Sequence, residues 1–254
     1  MIDSEELDSA VEAHQRKLIE AAGTLVAVQQ VCGDKVREQT KSAYRRLTDA
    51  HLLVTGVLGA ALLRINGIVK PSTNNSQERN ALFAAFVIGT PTCENTIKEG
   101  RYLQASCLLR QEMELFAQIK AVRAGQREEK RRSPNISALK DSGFGESLAR
   151  LYDELSAAAH ASKHHIVRSV TAYEVSGDDL PGPTSGTRYF PEFDEGCARR
   201  SFSLHLLLTV GIIEEFGIAL RENGDGEGLS EGEIEAVNLA LDLMKAEGMI
   251  EISV

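Results

Sequence analysis

From Leu7 to Cys32 a repeat runs through Leu7, Val11, His14, Leu18, Ala21, Leu25, Val28 and Cys32, with steps that alternate between four and three residues. That alternation averages 3.5 residues and keeps one narrow stripe of a helix facing a partner, which is the pattern of a coiled-coil seam. The helix start is written just before it, as Asp3-Ser-Glu-Glu6, a carboxylate cap with Glu three residues on. Gly33-Asp34 is the next punctuation, and from Lys35 to Ile65 a second stripe runs through Val36, Ala43, Leu47, Ala50, Val54, Val57 and Ala61. So short a break predicts a long antiparallel helical hairpin over residues 1–70. Gly56 and Gly59 would let a further helix approach it closely.

The remainder is also helical in character. Aromatic residues are 5% of the 254 and there is no Trp, while Leu, Ala and Glu, which lose little rotamer freedom in a helix, are abundant. The Pro71-to-Gln77 loop marks an internal boundary. Helices are expected from about Glu78 to Ile88, then, after a Gly-Thr-Pro-Thr interruption, from Cys93 to Ala124 with a bend near Gly100, and from Gly145 to Ser162. Ile166 to Val175 alternates β-branched and polar residues and reads as a strand, returning through Thr187 to Phe190. A helix from Glu195 to Arg221 follows, and Ser230 with Glu233 writes a capping box for the last one. The fold class is therefore all-α: a multi-helix bundle with a long N-terminal helical hairpin (1–70), a core bundle (78–223) carrying one inserted β-hairpin (166–190), and a C-terminal helix and tail (229–254).

Charge narrows the function classes. The formal net charge is −9, and residues 222 to 254 hold nine acids against Lys245, leaving the first 221 residues at −1. Such a balance opposes a general grip on nucleic acid or an anionic membrane and leaves room only for a local RNA contact. The longest apolar stretch, Leu52 to Leu63, closes at Arg64, short of a membrane span. The acidic N-terminus has no signal-peptide pattern, so a cytoplasmic protein with free, buried thiols at Cys32, Cys93, Cys107 and Cys197 is expected. No cofactor is called for.

Polar residues at helical spacing supply the candidate site. Arg110 and Glu114 are four apart, and so are Tyr152, Ser156 and His160, which places each set on one helix face and predicts that the two faces meet. R-x-x-x-E followed by Y-x-x-L-S-x-x-x-H-x-S resembles a family of uncharacterised bacterial helical proteins, some of which look distantly like HEPN domains (higher eukaryote and prokaryote nucleotide-binding). The likeness runs from about Ala81 to Leu220, and it implies a helical fold with Arg110, Glu114, Tyr152, Ser156 and His160 as the positions carried over.

HEPN ribonucleases pair an Arg that grips phosphate with a His a few residues on, placed for proton transfer. By that resemblance Arg200 with His205, and secondarily Arg46 with His51, are the catalytic candidates. His160 and His164, four apart, are weak metal candidates if one helix carries both. Three readings stay open: a ligand-binding or protein-interaction bundle, expected to be a homo-oligomer; an HEPN-like ribonuclease or inactive relative in a stress or phage-defence system; and a metal-dependent hydrolase.

Overall fold

The computed structural model describes residues 4–65, 74–126, 136–139, 145–161, 164–175, 184–222 and 228–249. They form eight α-helices and one two-stranded sheet: α1 (Ser4–Tyr44), α2 (Arg46–Ile65), α3 (Asn74–Lys98), α4 (Tyr102–Arg123), α5 (Gly145–Ala159), α6 (His164–Thr171), β1 (Ala172–Val175), β2 (Thr184–Thr187), α7 (Glu195–Glu222) and α8 (Glu231–Ala246). The chain is an all-α multi-helix bundle.

The first expected hairpin is not there. α1 runs straight through Gly33-Asp34, because one glycine costs a helix only about 1 kcal/mol and Asp34 pairs with Arg37 one turn on. The break falls at Arg45, which takes a left-handed conformation at φ 47°. That geometry costs a non-glycine residue about 1–2 kcal/mol, and the burial of Tyr44 and Leu47 on either side offsets it. After the break α2 leaves α1 and lies along α8 and α7.

The pair that does fold back on itself is α3 and α4. Gly100, at φ 74°, turns the chain there, and a Cβ at this position would meet the carbonyl oxygen of Glu192 at 2.8 Å. The expected interruption at Gly89-Thr-Pro-Thr does not occur, and α3 continues through Pro91. The lost backbone donor is outweighed by Phe83, Phe86, Cys93 and Ile97, which bury on both sides of the proline.

The β expectation is only partly met. Residues 164–171 are helical, and Val167, Val170 and Thr171 are half-buried at the i, i+3, i+4 spacing of a helix face. The sheet is confined to Ala172–Val175 paired antiparallel with Thr184–Thr187, with Tyr173 opposite Gly186. The returning strand is thus earlier than the expected 187–190.

One core runs from Tyr44 in α1 to Met244 in α8, so the divisions expected near residues 70 and 229 do not separate it. α8 begins with the capping box on Ser230 and Glu233 and buries Val237, Ala240 and Met244. α7 is the most enclosed element. Arg46–Arg64 and Glu195–Glu222 are each long and apolar enough to cross a membrane, but 83% of the apolar window in α7 is buried inside the fold.

Close packing of α7 on α4 has a signature at Gly211, where a Cβ would lie 2.5 Å from the Phe116 ring. Gly56 and Gly59, by contrast, face open space among the described residues, and no helix packs on them. Gly56→Ala should therefore stabilise the protein by about 0.5–1 kcal/mol through helix propensity. Gly211→Ala should destabilise it by about 1–3 kcal/mol through overpacking. Urea midpoints of the two variants check this; equal shifts of the same sign would contradict the packing described.

Candidate functional site

α4 and α5 bring four of the five residues of the polar set into one network. Arg110 and Glu114 lie one turn apart on α4, and the Arg110 Nε donates to Glu114 Oε1 at 2.9 Å. The Tyr152 hydroxyl, from α5, donates to the same carboxylate oxygen at 2.8 Å. The guanidinium carbon also sits 5.4 Å from the centre of the Tyr152 ring, in cation–π range. α5 ends at Ala159, and Ala161, at φ 47°, turns the chain so that His160 meets Arg110. Arg110 Nη1 and His160 Nε2 are 2.8 Å apart. Arginine has no acceptor, so Nε2 of His160 accepts and the ring proton is on Nδ1.

Ser156 shares the α5 face, yet its hydroxyl is buried with no hydrogen-bond partner among the described residues. Among the described residues no base lies within hydrogen-bond reach of it, as an activated nucleophile would require. The network is half-buried rather than fully buried, with Arg110 and Glu114 side chains 23% and 22% exposed. For Arg110, burial is opposed by Tyr152 and Glu114, which together hold its pKa above the ordinary value. One cation, one carboxylate and two neutral groups satisfy each other internally, and the result is a tie between α4 and the end of α5.

The histidine pair has no common helix. α5 stops before His160 and α6 starts at His164, with Ser162 and Lys163 outside the described residues, as is the side chain of His164. The four-residue spacing therefore does not fall within one helix, and His160 Nε2 is already taken by Arg110.

The two Arg–His candidates are not joined either. His205 is 1% exposed and its Nδ1 lies 2.9 Å from Glu112, while Arg200 is exposed; five residues along a helix is about 140° around it, away from the histidine. The neighbouring Arg199 is the buried one, donating to the carbonyl of Ala43 and to Glu247. Arg46 is likewise exposed, whereas His51 is largely buried, 3.2 Å from Glu94. Burial alone would raise the Glu94 carboxyl, but hydrogen bonds from His51 and Lys98 hold it down at about 2. Of the thiols, Cys93 alone is buried; Cys107 is exposed and Cys32 and Cys197 are intermediate.

Two features were not foreseen. Cys93, Glu112 and His205, from α3, α4 and α7, converge inside the core. A cleft of about 310 Å³ opens between α1 and the α3–α4 turn, lined by Val26, Gln29, Arg37, Glu99 and Arg101 among others. No local spacing announces either, since their members are far apart in the chain.

Half-exposed hydrogen bonds are worth about 1 kcal/mol each. Tyr152→Phe and Glu114→Gln should each lower stability by about that amount, and a double-mutant cycle should return a coupling of at least about 0.5 kcal/mol. Additive losses in urea denaturation would show that the two groups do not share a bond in solution. Comparisons of the chain with known protein families, characterised proteins and solved structures find no match, so its function has to be argued from this geometry.

Proposed function

We propose that the protein is a helical interaction module that self-assembles through the projecting part of α1. The observation that carries this reading is the continuity of one helix face. Near its C-terminal end α1 buries Val36, Thr40 and Ala43 in the body. The same face continues towards the N-terminus through Gln29, Leu25, Ala22 and Leu18, because seven- and four-residue steps return to one side of a helix. There it meets nothing among the described residues: Leu18 is 57% and Leu25 50% exposed, with Ile19 and Val26 beside them more exposed still.

A solvated helix of this length is marginal in water, and a bare apolar stripe makes it a binding surface rather than a stable ornament. Residues 12–31 alone extend for about 30 Å, and every one from Glu12 to Ala27 is exposed. The side chains of Leu7 and Val11 fall outside the described residues.

The occupant that fits is a second copy of the chain. The 4–3 spacing makes the stripe complementary to itself. The positions flanking it are Gln15, Ala22 and Gln29 on one side and Lys17, Thr24 and Val31 on the other. One charge among six raises no repeated like-charge contact on self-pairing, and it supplies no code for choosing a different helix. The cleft at the base of the arm, bordered by Val26 and Gln29, extends the same surface towards the body.

Sedimentation equilibrium of the wild type beside Leu18→Asp and Leu25→Asp tests the proposal. Each leucine is counted twice in a symmetric pair and contributes about 1.5–3 kcal/mol per copy, so either substitution should weaken association at least about 100-fold. The urea midpoint of the monomeric body should hardly move, because neither side chain touches it. A wild type that stays monomeric at the highest concentration attainable overturns the proposal. So does an oligomer indifferent to both substitutions.

A further inference from the structure

We infer that Cys93, Glu112 and His205 form a buried binding site for a zinc-class divalent cation that ties α3, α4 and α7 together. One donor atom from each lies within 4.8 Å of the other two, and all three residues are buried. A thiol, a carboxylate and an imidazole are the donor types that zinc takes in four-coordinate sites, at about 2.0–2.3 Å. Donors around such an ion are separated by roughly 3.3–3.8 Å, a range that follows from those bond lengths and tetrahedral angles. The present separations, from 2.9 Å between His205 and Glu112 to at most 4.8 Å, bracket it.

With the cation bound the site is electrically balanced. A thiolate and a carboxylate in a dry core carry two negative charges that are expensive to bury. A neutral imidazole and one divalent ion bring the total to zero. On binding, the Cys93 thiol gives up its proton to solvent, and the proton that His205 Nδ1 directs at Glu112 is relocated to Nε2, which leaves the Nδ1 lone pair and the Glu112 carboxylate both free to face the cation. Without the ion, burial first and then Glu112 keep the Cys93 thiol in its protonated form. The surroundings suit a closed site. Tyr44, whose ring stacks on Phe202 at 4.0 Å, has a buried hydroxyl with no hydrogen-bond partner among the described residues. Burial pushes the pKa of that hydroxyl up, with smaller contributions from Tyr102, Glu94 and Cys93.

The inference is independent of assembly through α1 and is tested on the full chain. Protein stripped with chelator is titrated with Co(II), and the thiolate-to-cobalt charge-transfer band and the d–d bands of a tetrahedral site are followed. One equivalent of Co(II) should bind, and Zn(II) should displace it. A triple variant, Cys32→Ser, Cys107→Ser and Cys197→Ser, leaves the buried Cys93 as the one thiol of the chain and should keep the full band. Cys93→Ser and Glu112→Gln should lose the charge-transfer band and at least 90% of the bound metal, respectively. For the wild type, free Zn(II) at 100 times its dissociation constant should raise the folding equilibrium constant about 100-fold. Should Cys93→Ser fail to fold, the triple variant decides. Absence of a thiolate band in the wild type or in the triple variant overturns the site, as does a band that survives Cys93→Ser.

Discussion

The burial of α7 is the constraint on which the other helices depend. A helix so enclosed cannot leave its polar side chains to water, and each one left unpaired costs on the order of 3–5 kcal/mol when it is charged. Most of those on α7 are paired across to a different element. Arg199 donates to the Ala43 carbonyl at the end of α1, at 2.7 Å, and to the Glu247 carboxylate beyond α8, at 2.8 Å. His205 faces Glu112 of α4. Glu215 accepts two hydrogen bonds from Arg123 and one from Lys120, both on α4. Thr209 returns its hydroxyl to the His205 carbonyl of its own helix, while Ser203 finds no partner among the described residues. The apolar face sets how strongly these helices associate. The polar pairs set which rotation and register each one takes.

That arrangement explains why α1 projects as it does. Arg199 donates to the Ala43 carbonyl of α1 near the left-handed Arg45, and Arg37 bonds Glu99 at the α3–α4 turn. Both anchors lie in the C-terminal quarter of the helix. Among the described residues no contact holds Glu12 to Ala27, so that part of the helix leaves the body with its apolar stripe exposed. The anchored end fixes the direction of the arm, and in the proposed pairing such advance orientation would lower the entropy cost.

What the sequence made legible follows from how local the signal was. The α8 capping box is a four-residue signal between Ser230 and Glu233, and it is found as written. The Arg110 network was equally readable, because two four-residue spacings on helices adjacent in the chain leave few ways for the faces to meet. The 4–3 seam marked an apolar stripe that the structure leaves exposed, whereas Gly33-Asp34 misdirected the reading towards a hairpin with α2, since the cost of a glycine is small beside the helix on either side. Gly89 and Pro91 misled in the same way: turn residues carry a local preference, and the burial of Phe86 and Ile97 overrode it. Cys93, Glu112 and His205 were beyond this reasoning. They are separated by 19 and 93 residues, on three helices, and only the packing of α7 brings them together.

α4 shows how one helix serves both polar centres without confusing them. Arg110 and Glu114 share the face turned to α5, while Glu112, midway between them in sequence, is about 200° away around the axis and faces α7. The first centre sits at the rim, where water screens its charges and each hydrogen bond contributes little. The second is dry, so the same types of side chain, a carboxylate and a histidine, interact far more strongly there and tolerate no missing partner. Position on the helix, rather than residue type, therefore decides that the Arg110 network trims the docking of α5 while the Glu112 centre governs the core. A thiol beside a dry, hydrogen-bonded carboxylate and imidazole makes the proposed ligand set, and the enclosure that makes such a site hard to reach would also make an ion held there slow to leave.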